Sequence, residues 1–176
     1  MAEKARILVY ILRRDLRIAD NPIFHELSRL HQQSKHPFTH LLPIYVFPAN
    51  QVEVSGFVTS PSTRSPYPEA RSQVAGFWRC GPLRAKFLAE SVWDLKGDLE
   101  KLQSDLVIRV GKVGDVVKSV LDGYSHRKDE AEVSAVWMTD EPGVEEKREE
   151  RAVQQLCKEF DAEFKCWPDE KYFIHE

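Results

Sequence analysis

Residues Arg6–Phe24, RILVYILRRDLRIADNPIF, constrain the fold of this chain more than any other segment. Ile7 to Leu12 form an unbroken apolar run, too short for a membrane span and without the alternation of a half-exposed strand. Such a run suits a central parallel strand covered on both faces. It stops at the basic stretch Arg13-Arg14-Asp15-Leu16-Arg17, and Asp20-Asn21-Pro22 then opens an amphipathic segment. Asp20 or Asn21 supplies a helix N-cap and Pro22 its first turn. The segment therefore reads as a buried strand, a charged loop and a capped helix, the opening half of a βαβ unit.

The same alternation continues along the chain. Pro22–Gln33 reads as a helix with Ile23, Phe24, Leu27 and Leu30 inward, and Phe38–Phe47 as a strand in which Pro43 marks an irregularity or an edge. A long Ser-, Pro- and Gly-rich loop spans Pro48–Pro82, with short helical turns expected around Pro68–Phe77. Leu83–Gln103 is the plainest helix, with Leu83, Phe87, Val92, Leu95, Leu99 and Leu102 near one face. Asp105–Val110 and Val133–Met138 read as strands and Ala162–Cys166 as a short last one. Gly114–Gly123, with Gly123 as C-cap, and Val144–Phe160 read as helices. The expected fold is α/β: an open, five-stranded, parallel, Rossmann-like sheet with helices on both faces.

The 176 residues fit one domain, with 42% apolar and 30% charged residues. A net charge of −3 gives no general attraction for nucleic acid. No signal-peptide core or membrane-length run occurs, so a soluble, intracellular protein is expected, with the compartment open. Cys80, Cys157 and Cys166 read as free thiols, and the scattered histidines suggest no metal site. The sequence holds no GxGxxG, GxxxxGK[ST], SGGxDS or GxSxG motif, nor a nucleophile–base constellation, and the four tryptophans read as core or loop aromatics.

In an open parallel sheet, ligands gather beyond the carboxyl ends of the strands. The polar segments placed there are Arg13–Asn21, the loop from Pro48, and Thr139–Glu146. Guanidinium groups in the first suit phosphate, carboxylate or another domain. In the acidic run, Glu145 and Glu146 can simply complement a helix dipole. Alternatively Glu141, Glu145 or Glu146 can accept the paired N–H donors of a pterin-type heterocycle.

The strand–RRDLR–x–x–DNP–helix opening resembles the DNA photolyase/cryptochrome family. PIYVF at Pro43–Phe47, RCGPLRAKFLAESVWDLKGDLEKL at Arg79–Leu102, LVIRVGKVGDVV at Leu106–Val117 and WMTDEPGVEEKREE at Trp137–Glu150 extend the likeness over nearly the whole chain. The wording CGPLRAKFLAESV is most similar to DASH cryptochromes, and WPDEKYFIHE looks like the approach to an interdomain linker. The resemblance implies the N-terminal α/β antenna domain, residues 1–176, of a blue-light-driven DNA repair enzyme or light sensor. It also implies 5,10-methenyltetrahydrofolate at an interface with a helical FAD-binding domain, outside this chain, through which DNA is contacted. Glu141, Glu145 and Glu146 become candidate folate contacts, and Arg13, Arg14, Asp15, Arg17, Asp20 and Asn21 a structural or interdomain signature. The chain alone is expected to be non-catalytic. Two alternatives are a partner-binding module that self-associates through the surface the helical domain would cover, and a small-nucleotide-binding domain.

Overall fold

The computed structural model describes residues 4–54, 65–127 and 129–169. Nine elements alternate: β1 (Ala5–Leu12), α1 (Pro22–Gln32), β2 (His40–Pro48), α2 (Pro82–Lys101), β3 (Val107–Gly111), α3 (Val113–Ser125), β4 (Ala131–Thr139), α4 (Val144–Glu159) and β5 (Glu163–Trp167). The strands form one five-stranded sheet in the order β3-β2-β1-β4-β5, and every adjacent pair is parallel. The expected fold class is the one observed.

Strand β1 shows why its apolar run is continuous. Leu8, Tyr10 and Leu12 enter the core beneath α1 and α2, while Ile7, Val9 and Ile11 enter the core beneath α3 and α4. A strand's side chains alternate between faces, so a strand covered on both sides must be apolar throughout. Asn21 caps α1, its Oδ1 accepting from the N–H groups of Ile23 and Phe24 at 3.0 Å. Val153 and Cys157 of α4 are buried against the sheet, as their spacing predicts.

Four local expectations change. Pro43 is in a central strand, but pairing of β2 with β3 begins only at Ile44, so the prolyl residue lies where the third strand has not yet arrived. Gly123 falls inside α3, whose C-cap is His126. Leu83, Phe87 and Leu102 are 84%, 70% and 63% exposed, because at about 100° per residue Leu83 and Phe87 point away from the Val92, Leu95 and Leu99 face that α2 lays on the sheet, and Leu102 is its C-cap. Around Pro68–Phe77 the chain makes a turn closed by an antiparallel bridge between Arg71 and Trp78, rather than helical turns. The linker-like ending lies mostly outside the described residues. No described helix is long and apolar enough to cross a membrane.

Candidate functional site at the sheet's switch point

The strand order reverses between β1 and β4, the place where open α/β sheets form a ligand crevice. The loops leaving these two strands are Arg13–Asn21 and Asp140–Gly143, so the topology brings together the two charged segments of interest.

The first loop is held from within by a buried network. Tyr10 donates a hydrogen bond to Asp15, and Asn21 Nδ2 donates to the Tyr10 hydroxyl at 2.6 Å. The other Asp15 oxygen accepts the Arg13 backbone N–H at 2.8 Å. Asp15 and Asn21 are each 1% exposed. Burial raises the Asp15 pKa above the usual carboxylate range, although the bonds from Tyr10 and Arg13 pull the other way. Burial, followed by the neighbouring Asp15 charge, raises the Tyr10 phenol. Asp15 and Asn21 thus shape the loop from within.

The arginines divide the outward tasks. Arg13, only 7% exposed, meets Glu149 and Glu150 at 2.8 Å each and donates to the Glu146 carbonyl at 3.0 Å. Burial would lower its pKa, but the bonds to these two carboxylates outweigh that and raise it. Arg14 reaches Glu146 at 2.9 Å and lies 3.7 Å from Glu141. Arg17 pairs with Asp169 beyond β5 at 2.5 Å and donates to the Asp20 carbonyl at 3.1 Å.

Glu150 is the hub of the opposite wall. Besides Arg13, it accepts the Glu141 backbone N–H at 3.1 Å and the Lys147 ammonium at 2.9 Å. Glu149 and Glu150 are not among the expected site residues, yet their spacing carries a signal. Each stands four residues after Glu145 or Glu146, hence on the same side of α4.

Between these walls lies a cleft of about 390 Å³. Its floor is Leu12, Tyr45, Val46 and Val52, and Leu88 of α2 closes one side. Arg13, Arg14, Arg79 and Arg84 face Glu145, Glu146 and Glu149 across it. Of the candidate carboxylates, Glu141 is 2% exposed and turned inward, Glu146 is 19% exposed and held by Arg14, and Glu145 stands at the mouth, 49% exposed. Roomier grooves of about 550 and 890 Å³ lie beside β3 and α3 and beside α1. Neither lies between the β1 loop and α4, where the opposed charges converge.

A pterin fits the chemistry of this cleft. A carboxylate at the mouth, above an apolar floor that includes Tyr45, can receive paired N–H donors, and guanidinium groups can receive an anionic tail.

Comparisons with known proteins bear on the fold and the family. The DNA photolyase family model matches residues 8–172. The chain is 51% identical to a mitochondrial cryptochrome DASH of Neurospora crassa, over 98% of this chain and 22% of that protein. It is 51% identical to a cryptochrome DASH of Gibberella zeae, over 97% of this chain and 24% of that one. The chain thus spans about a quarter of the length of these relatives. Among solved structures, a cryptochrome of Synechocystis sp. PCC6803 superposes with a TM-score of 0.68 at 20% identity, over 95% of this chain and 28% of that one. An archaeal photolyase from Sulfolobus tokodaii, solved with two FAD molecules, gives 0.63 at 19%, over 96% and 32%. These two show the same fold. With the family model matched over nearly the whole length, the chain belongs to the DNA photolyase family.

Proposed function

We propose that residues 1–176 form the N-terminal antenna-chromophore domain of a DASH-type cryptochrome/photolyase, and that the switch-point cleft holds 5,10-methenyltetrahydrofolate. The observation that carries this reading is the position of Glu145, a half-exposed carboxylate at the mouth of a cleft with an apolar floor and charged walls, between the β1 loop and α4. Glu145 would receive the pterin N–H edge, and Arg79 and Arg84 would face the glutamyl tail. The bound folate supplies light absorption, and this chain's residues orient it and shield it from water.

In the longer relatives, a helical FAD-binding domain would complete the protein, contact DNA and carry the chemistry. Light-driven repair of pyrimidine dimers in single-stranded DNA, or blue-light sensing, would belong to the assembled protein. The exposed side chains of Leu83 and Phe87 on α2 and of Val74 and Phe77 before it support a covering partner. They equally support a second reading, a partner-binding module that acts through this surface without chemistry. Calorimetric titration with methenyltetrahydrofolate, with FAD as comparison, tests the proposal. Saturable folate binding without tight FAD binding is expected, and binding of neither would overturn the autonomous antenna reading.

A further inference from the structure

The segment before α2 is braced by its own contacts. Ser72 N–H donates to the Phe77 carbonyl at 2.8 Å, Gly76 N–H to Ser72 at 2.9 Å and Arg79 N–H to Ala70 at 2.9 Å. The Arg71 guanidinium stacks 3.8 Å from the Trp78 ring centroid and donates to the Gly76 carbonyl at 3.0 Å. Residues 70–79 therefore form a strap whose shape does not depend on the cleft. Arg79 at its end crosses the mouth, and its Nη2 lies 2.8 Å from both oxygens of Glu145. Gln51 approaches the same carboxylate at 3.4 Å. Cys80, the next residue, lines the cleft and is partly buried.

We propose that Arg79 is the latch of this cleft: its pair with Glu145 closes the mouth, and a ligand offering N–H donors to Glu145 enters by displacing it. The released guanidinium is then placed to hold an anionic tail on the same ligand. The favoured ligand class is therefore a heterocycle with adjacent N–H donors and a pendant carboxylate. The identity of the ligand rests on the antenna reading above, whereas the closure does not. The Arg79 and Glu145 side chains are 33% and 49% exposed, so the pair is partly screened and can open without unfolding the domain.

Alkylation of Cys80 by iodoacetamide, followed by mass spectrometry, measures the closure directly. Burial pushes the Cys157 and Cys166 thiols up to about 11, which keeps them largely protonated and slow near neutral pH. Arg79→Gln should speed Cys80 labelling roughly two- to fivefold, the range an ion pair of this exposure supports. The swap Arg79→Glu/Glu145→Arg should return it toward the wild-type rate. Unchanged labelling in Arg79→Gln would overturn the latch, whether or not folate binds.

A ligand arm separates this proposal from the antenna reading. Arg79→Gln should bind 6-methylpterin, which has no tail, more tightly by a similar factor, while methenyltetrahydrofolate gains less because it loses its tail contact. Faster labelling with binding of neither compound would support the closure and overturn its tie to a pterin.

Discussion

Arg13 and Glu150 meet at 2.8 Å with side chains 7% and 8% exposed, so the loop after β1 and helix α4 are joined by an ion pair withdrawn from water. Removing one partner of such a pair strands the other charge. Arg13→Met should lower stability by about 3 kcal/mol, the low end of the usual range because Lys147 still faces Glu150. Urea unfolding at neutral pH measures this, and adding Glu150→Gln should restore more than half of the loss. A cost near zero for Arg13→Met would show that the pair does not hold the two segments together.

The Tyr10–Asp15–Asn21 network makes a second prediction. Tyr10→Phe removes the donor to Asp15 and the acceptor for Asn21, at a cost of about 1–3 kcal/mol. Asp15→Asn probes the carboxyl itself. The folded-state pKa of Asp15 is raised, so its contribution to stability is complete below the ordinary carboxylate pKa and is lost as pH rises through the folded value. The advantage of wild type over Asp15→Asn should therefore shrink from acid toward neutral pH. Urea titrations across that interval would show it, and a widening gap would contradict the assignment.

Folate affinity should depend on the three candidate carboxylates unequally. Glu145→Gln should weaken methenyltetrahydrofolate binding by about 1–3 kcal/mol, more than opening the latch returns. Glu146→Gln should matter less, because Arg14 already engages that carboxylate. Glu141→Gln should chiefly affect folding, since its side chain is buried. Calorimetry on the three variants gives the ranking; equal affinities throughout would remove Glu145 from the site.

Leu83 and Phe87, 84% and 70% exposed, should drive self-association of the isolated chain. Light scattering should report a mass above that of the monomer, falling when both are changed to serine. The substitutions should leave stability within about 0.5 kcal/mol, as expected for surface positions. A monomeric wild-type chain at high concentration would count against both a covering partner and a partner-binding module.

The elements were legible in the sequence because each carries its own period. β1 is continuously apolar, α4 keeps Val153 and Cys157 four apart, and Asn21-Pro22 announces α1. What the sequence conceals lies between elements. Within α2, by contrast, the phase itself holds the answer: at about 100° per residue Leu83 and Phe87 point away from Val92, Leu95 and Leu99, so they remain outside. The site was half legible: the basic loop and acidic run fall at the sheet's carboxyl edge as expected. Their pairing was not, because Arg13–Glu150 and Arg79–Glu145 join residues 137 and 66 positions apart. Local spacing carries no trace of such partners, and only the strand order brings them together.

One further feature gives the molecule an optical signature. Trp137 on β4 and Trp167 on β5 have ring centroids 5.0 Å apart at 59°, and the Lys165 ammonium sits 3.5 Å from the Trp167 centroid. Two indoles this near and inclined couple electronically, while the cation perturbs the emission of one of them. Detachment of the edge strand β5 would separate Trp167 from Trp137 while Lys165 travels with Trp167, so near-ultraviolet dichroism and intrinsic fluorescence can follow that strand without a label.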